Sequence, residues 1–149
     1  MLQNTLIEFF ERDLKKLKEE ISQYPDDDSL WKVEGFIANS AGNLCLHLIG
    51  NMNHFVGAVL GKSGYVRDRE SEFSMKNITR GELTTRLDDT IRVVKDTVQS
   101  MKETDFTKTY PVDKHGKIVD MDYMLVHLAT HLNYHLGQVN YHRRLLVKK

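Results

Sequence analysis

The stretch that most constrains this chain runs from His127 to Gln138, where His127, His131 and His135 recur every four residues inside one long amphipathic segment. Side chains four apart on an α-helix stand one turn above another on the same face. At about 100° per residue, Met121, Leu125, Leu128, Leu132, Val139 and Leu146 gather into a single apolar stripe that other elements must cover. His135 lies closest to that stripe, His131 beside it, and His127 farther round toward solvent. An i, i+4 pair of neutral imidazoles is a two-point clamp for zinc, nickel, copper or iron, and His131 with His135 is the pair that the angles select. On this helix alone, histidines that merely hydrogen-bond at the edge of a core remain the alternative.

Three further segments carry helical spacing. Leu6, Phe10, Leu14, Leu17 and Ile21 predict a first helix, capped by Asn4 or Thr5 and stopped at Tyr24-Pro25 and the Asp26, Asp27, Asp28 run. Asn39-Ser40 predicts the cap of a second helix reaching about Leu60, with Ala41, Leu44, Leu48, Met52, Phe55 and Val59 inward. At the edge of that stripe His47, Asn51 and His54 fall on nearly one line. Thr79-Arg80-Gly81-Glu82 is a capping-box pattern, followed by Leu83, Leu87, Thr90, Ile91, Val94 and Val98 to about Met101. The fourth helix starts at Asp120 or Asp122. Between the second and third helices, 65–73 is a charged connection without core periodicity. The segment 105–120 predicts a hairpin or an extended loop with His115 at its tip. Four such helices pack as an all-α four-helix bundle, and residues 1–149 form a single domain.

Composition narrows the function classes. Twenty-one basic residues balance twenty-one acidic ones, which gives no field to draw nucleic acid. No apolar run is long enough to span a membrane, and the first residues have no signal-peptide layout, so a cytoplasmic protein is expected. Cys45 is the one cysteine, which excludes an intramolecular disulfide and a multi-cysteine zinc site; it is read as core packing.

If the second and fourth helices face each other near their middles, His47 joins His131 and His135 in a three-nitrogen set. Three neutral ligands leave positions free for water or substrate, the layout of a catalytic rather than a structural site. A zincin is excluded because Leu132, Asn133 and Tyr134 stand where His-Glu-x-x-His needs its glutamate. A di-iron bundle is excluded because 121–147 contains no glutamate. Asn51, His54 and His127 are candidates for supporting the ligands or touching substrate. Arg67 and Arg69 are candidates for clamping an anionic group. Thr130, Tyr134, Gly137 and Tyr141 lie opposite the core stripe and predict a homodimer contact along the fourth helix.

The segments Asn39 to Asn51, Arg67 to Phe73 and Thr130-His131-x-x-x-His135-x-Gly137-Gln138 resemble an uncharacterised branch of the DinB superfamily, over essentially the whole chain. The resemblance implies an up-up-down-down four-helix bundle, often dimeric, with a divalent metal, zinc or nickel, on His47, His131 and His135. It also implies an activity toward small-molecule substrates, as a thiol-dependent transferase or isomerase using a low-molecular-weight thiol; with three neutral ligands and an open position, a thiol S-transferase or a hydrolase is the enzyme reading. A non-catalytic metal-binding bundle acting in protein interaction or stress response is the alternative. The glutamate and arginine that many relatives carry in the last motif are absent here.

Overall fold

Side-chain caps open the helices at two of the predicted points. In the computed structural model, which describes residues 1–147, Ser40 accepts from the Asn43 N–H and Thr79 from the Glu82 N–H. The helices are α1 (Leu2–Ser22), α2 (Ala41–Met52), α3 (Arg69–Ser74), α4 (Arg80–Ser100) and α5 (Met121–Leu146). The first helix begins at Leu2 rather than after Asn4 or Thr5. Thr5 turns its hydroxyl back to the Met1 carbonyl, and Gln3 donates to the carbonyls of Val98 and Met101 at 2.8 and 2.7 Å, so the start of α1 satisfies the C-terminal end of α4.

The four long helices surround one apolar core drawn from every one of them, including Leu14, Leu48, Leu87 and Leu132. Contacts along their lengths fix the directions. Gln3 meets Val98 while Lys18 meets Asp88, so α1 and α4 are antiparallel. Asp13 meets Asn133 while Glu20 meets Asn140, so α1 and α5 are parallel. Asn53 bonds Thr90, and Gly61 lies against Thr97 further along, so α2 and α4 are parallel. The bundle is the expected one, but its helices run up, down, down, up rather than up, up, down, down. The three connections are similar in length, and length does not distinguish a loop joining neighbouring ends from one that runs the length of the bundle. Only 59–79 makes that run, and it carries α3 back alongside α2.

Beyond Met52 the second helix widens into a π-helical segment, Asn53–Ala58, with the Val59 N–H bonding the His54 carbonyl. The extra residue per turn rotates the side chains beyond it about the helix axis. Val56 is buried in place of the predicted Phe55 and Val59, which pack only at the margin, and His54 leaves the line of His47 and Asn51. The 105–120 connection holds two isolated antiparallel bridges, Thr109 with Asp120 and Lys114 with Lys117. His115 at its tip has φ of 49° beside Gly116 at 80°, as a turn residue should. No helix among the described residues is long and apolar enough to cross a membrane.

Leu14 is fully buried at the centre of α1. Leu14→Ala is expected to cost about 2–5 kcal/mol by transfer loss and residual cavity. Urea unfolding at unchanged slope measures it, and a loss within experimental scatter would contradict this packing.

Candidate metal centre

Because α2 and α5 run antiparallel, the middle of one passes the middle of the other, and three imidazoles meet there. His47 Nε2 lies 3.2 Å from His131 Nε2, which lies 3.1 Å from His135 Nε2. The three rings stand nearly edge-on to one another, with interplanar angles of 77°, 87° and 90°. A metal held at 2.0–2.1 Å by tetrahedral nitrogen ligands keeps them about 3.3 Å apart, close to this spacing.

The far nitrogens decide which atoms are free to bind. His47 Nδ1–H donates to Glu72 Oε1 at 3.0 Å, and His135 Nδ1–H donates to Gln138 Oε1 at 2.6 Å. With their protons held there, both Nε2 atoms turn bare lone pairs toward the common point. Glu72 is itself buried and takes both arms of Arg67, Nε at 2.9 Å on Oε2 and Nη2 at 2.9 Å on Oε1. A buried carboxylate paired in this way leaves no uncompensated charge inside the protein. His131 Nδ1 and Asn51 Oδ1 are buried without a protein partner. Burial lowers the His47 pKa against the opposing pull of Glu72. Burial, with the neighbouring His135 and His47, pushes His131 down to about 4. Both are therefore neutral at physiological pH, the state in which imidazole binds metal. Among the described residues, these three are the group of ligating side chains close enough to hold one ion. The donor set fits a borderline divalent transition metal.

A family model described as "Protein of unknown function (DUF1572)" matches residues 2–149. The chain belongs to that family. No curated protein matches it. Solved structures share its fold, among them these two. A conserved protein from Enterococcus faecalis is 16% identical with a TM-score of 0.77, over 96% of this chain and 95% of that one. A DinB-like protein from Bacillus cereus is 16% identical with a TM-score of 0.73, over 97% and 93%. The chain therefore shares the four-helix fold of a protein described as DinB-like, the fold that the resemblance of its motifs implied.

The other predicted residues divide. Asn51 is buried one turn from His47 on the same helix. Arg67 reaches the site mainly through Glu72, with its Nη2 also 3.4 Å from His47 Nδ1. His127 stands off, its ring centred 6.3 Å from that of His131, with its pKa lowered by burial and by Lys114 and His115. His54 packs on Phe55 instead. Arg69 lies over the Phe73 ring at 5.5 Å. Sequence reasoning missed Glu72 and gave Gln138 no role. The signal for Glu72 was the Asp68-x-x-Ser71 cap of a short helix, which puts Phe73 against His47 and turns Glu72 inward. Gln138 is three residues past His135, the spacing at which helical side chains meet. His142 is also buried, almost two turns beyond His135. Its Nε2–H donates to the Lys32 carbonyl and its Nδ1 accepts from the Tyr24 hydroxyl, both at 2.7 Å, which makes it a structural residue.

A histidine held neutral below its ordinary pKa binds fewer protons in the folded than in the unfolded chain. The metal-free protein should therefore lose stability as pH falls from about 6.5 toward the lowered His131 value of about 4. In His131→Gln the urea midpoint should fall less steeply across that window. An equal slope in both proteins would contradict the burial of a neutral His131.

Proposed function

We propose that this chain holds a divalent metal, zinc or nickel, on His47, His131 and His135 and uses it to activate a small nucleophile, as a metal-dependent thiol S-transferase or hydrolase. The convergence of three Nε2 atoms, two of them with their protons fixed on the far nitrogen, carries this reading. Neither His54 nor His127 joins the set, which leaves three protein donors and a coordination position for a substrate atom. A metal bound there lowers the pKa of a thiol or water that it coordinates.

The side chains favour a thiol. Glu72 is committed to Arg67 and His47, and among the described residues no other carboxylate groups with the three nitrogens to serve as base. A thiol begins near pKa 8.5 and needs no separate base once activated. A cavity of about 500 Å³ beside His135 and Gln138, walled by Phe36, Leu44, Tyr134 and Tyr141, falls in the size range of small-molecule sites. Arg67 already gives two donors to Glu72, so clamping a thiol's carboxylate would draw on its remaining Nη1 hydrogens.

A second reading is favoured by a different observation. Tyr134 and Tyr141 are 66% and 61% exposed on the outer face of α5, with Tyr123 and Val126 also exposed on this helix. Such a face suits a homodimer contact, and it equally suits a non-catalytic metal-binding bundle whose work is protein interaction or stress response.

In purified protein, His47→Ala, His131→Ala and His135→Ala should each cut metal content to below about a tenth of stoichiometric, given the loss of one of three ligands. His115→Ala should leave it intact. Metal-loaded protein should conjugate a chromogenic electrophile with a cellular thiol faster than chelated protein does. Full metal content with rates at the thiol-only background would pass the case to the non-catalytic reading. Metal retained in all three alanine variants would remove both.

A further inference from the structure

Gly50 lies in the last turn of α2, where the helix runs on into the π-helical segment, one turn from His47, and is buried. Glycine weakens a helix interior relative to alanine, so its presence there needs a cause. Backbone conformation is not the cause. The glycines of positive φ among the described residues are Gly35, Gly64 and Gly116. The neighbour supplies it. A Cβ at Gly50 would collide with Glu72 Oε2 and come within 2.5 Å of its Cδ. The backbone of α3 is meanwhile tied to α2 at another point, where Asn43 Nδ2 donates to the carbonyls of Glu72 and Met75 at 3.0 and 2.8 Å. The short helix is thus anchored independently of its carboxylate, and a methyl group at Gly50 would displace the carboxylate rather than the segment.

We propose that Gly50 and Glu72 act together as the positioning device of the metal centre, a role that rests on the metal-binding reading of the three histidines. The missing side chain at Gly50 leaves a notch on α2. Glu72 occupies that notch and holds the Nδ1 proton of His47, so that Nε2 faces His131 and His135 as a bare lone pair. A neutral imidazole has two tautomers, and the partner of one nitrogen decides what the other presents. Arg67 keeps the buried carboxylate paired, and the Phe73 ring, 4.9 Å from that of His47, closes the outer side. Glu72 touches no substrate position in this arrangement. It acts through His47.

Zinc affinity by chelator competition tests the device in wild type, Gly50→Ala, Glu72→Gln and the double variant. Losing an outer partner of a ligating histidine typically costs about 10–100-fold in metal affinity, and each single variant should fall in that range. The double variant should fall no further than the weaker single one, because both changes remove the same contact. Gly137→Ala, at a helical glycine of α5 with open space around it, should match wild type. A helix-wide effect of adding a methyl would show there too. In metal-free protein, nitrogen-15 correlation spectra should show His47 protonated on Nδ1 in wild type and mixed between tautomers in Gly50→Ala. Additive losses in the double variant, or affinity within about threefold of wild type in Glu72→Gln, would overturn the proposal. If Gly50→Ala does not fold, the Glu72→Gln affinity and the wild-type tautomer still decide. If wild type binds no zinc, the metal reading fails, and the spectra alone decide whether Glu72 sets the His47 tautomer.

Discussion

Two imidazole nitrogens held 3.2 and 3.1 Å from a third form an arrangement that the protein must impose. The protons of His47 and His135 are engaged on their Nδ1 atoms by Glu72 and Gln138. His131 can offer one proton at most to the two lone pairs that face it. At least one partly buried acceptor is left without a donor, at a cost of about 1–3 kcal/mol. Sequences tolerate such local conflicts chiefly at functional sites. A cation at the common point relieves the conflict for all three nitrogens at once, and by linkage its binding would stabilise the folded chain.

The topology explains how an isolated carboxylate reaches this point. With helices running up, down, down, up, the chain must travel the length of the bundle once, between the end of the second long helix and the start of the third. That run passes along α2 and delivers Glu72 and Arg67 to the ring of His47. In this family member the helix that carries the histidine pair has no acidic residue beyond its first turn. The negative charge comes from the crossover instead, already paired, so the centre keeps its three neutral donors and gains an outer anchor.

How much of this the sequence discloses depends on where periodicity holds. The apolar stripe of α5 and the capping chemistry at Ser40 and Thr79 are local, and they place the helices within a residue or two. The same angular regularity brings His47, His131 and His135 together, because facing helices juxtapose their inner edges. It fails where the helix ceases to be α. The π-helical segment after Met52 rotates His54 off the line and exchanges Val56 for Phe55. It fails again in 65–73, which has no core-facing stripe and looks solvated, although its Glu72 is buried. A buried charge is legible only through its partners, and those lie on another element. Helix direction was equally hidden, since it depends on which loop crosses the bundle.

The central claim is one metal ion on three histidine nitrogens with no fourth protein ligand. Anomalous diffraction from zinc- or nickel-soaked crystals, recorded on both sides of the metal's absorption edge, tests this directly. The expected result is one peak, about 2.0–2.1 Å from the Nε2 atoms of His47, His131 and His135, with any remaining ligand a solvent or substrate atom. No peak at that point, or a peak that draws in His54 or His127 to close the coordination sphere, would contradict it.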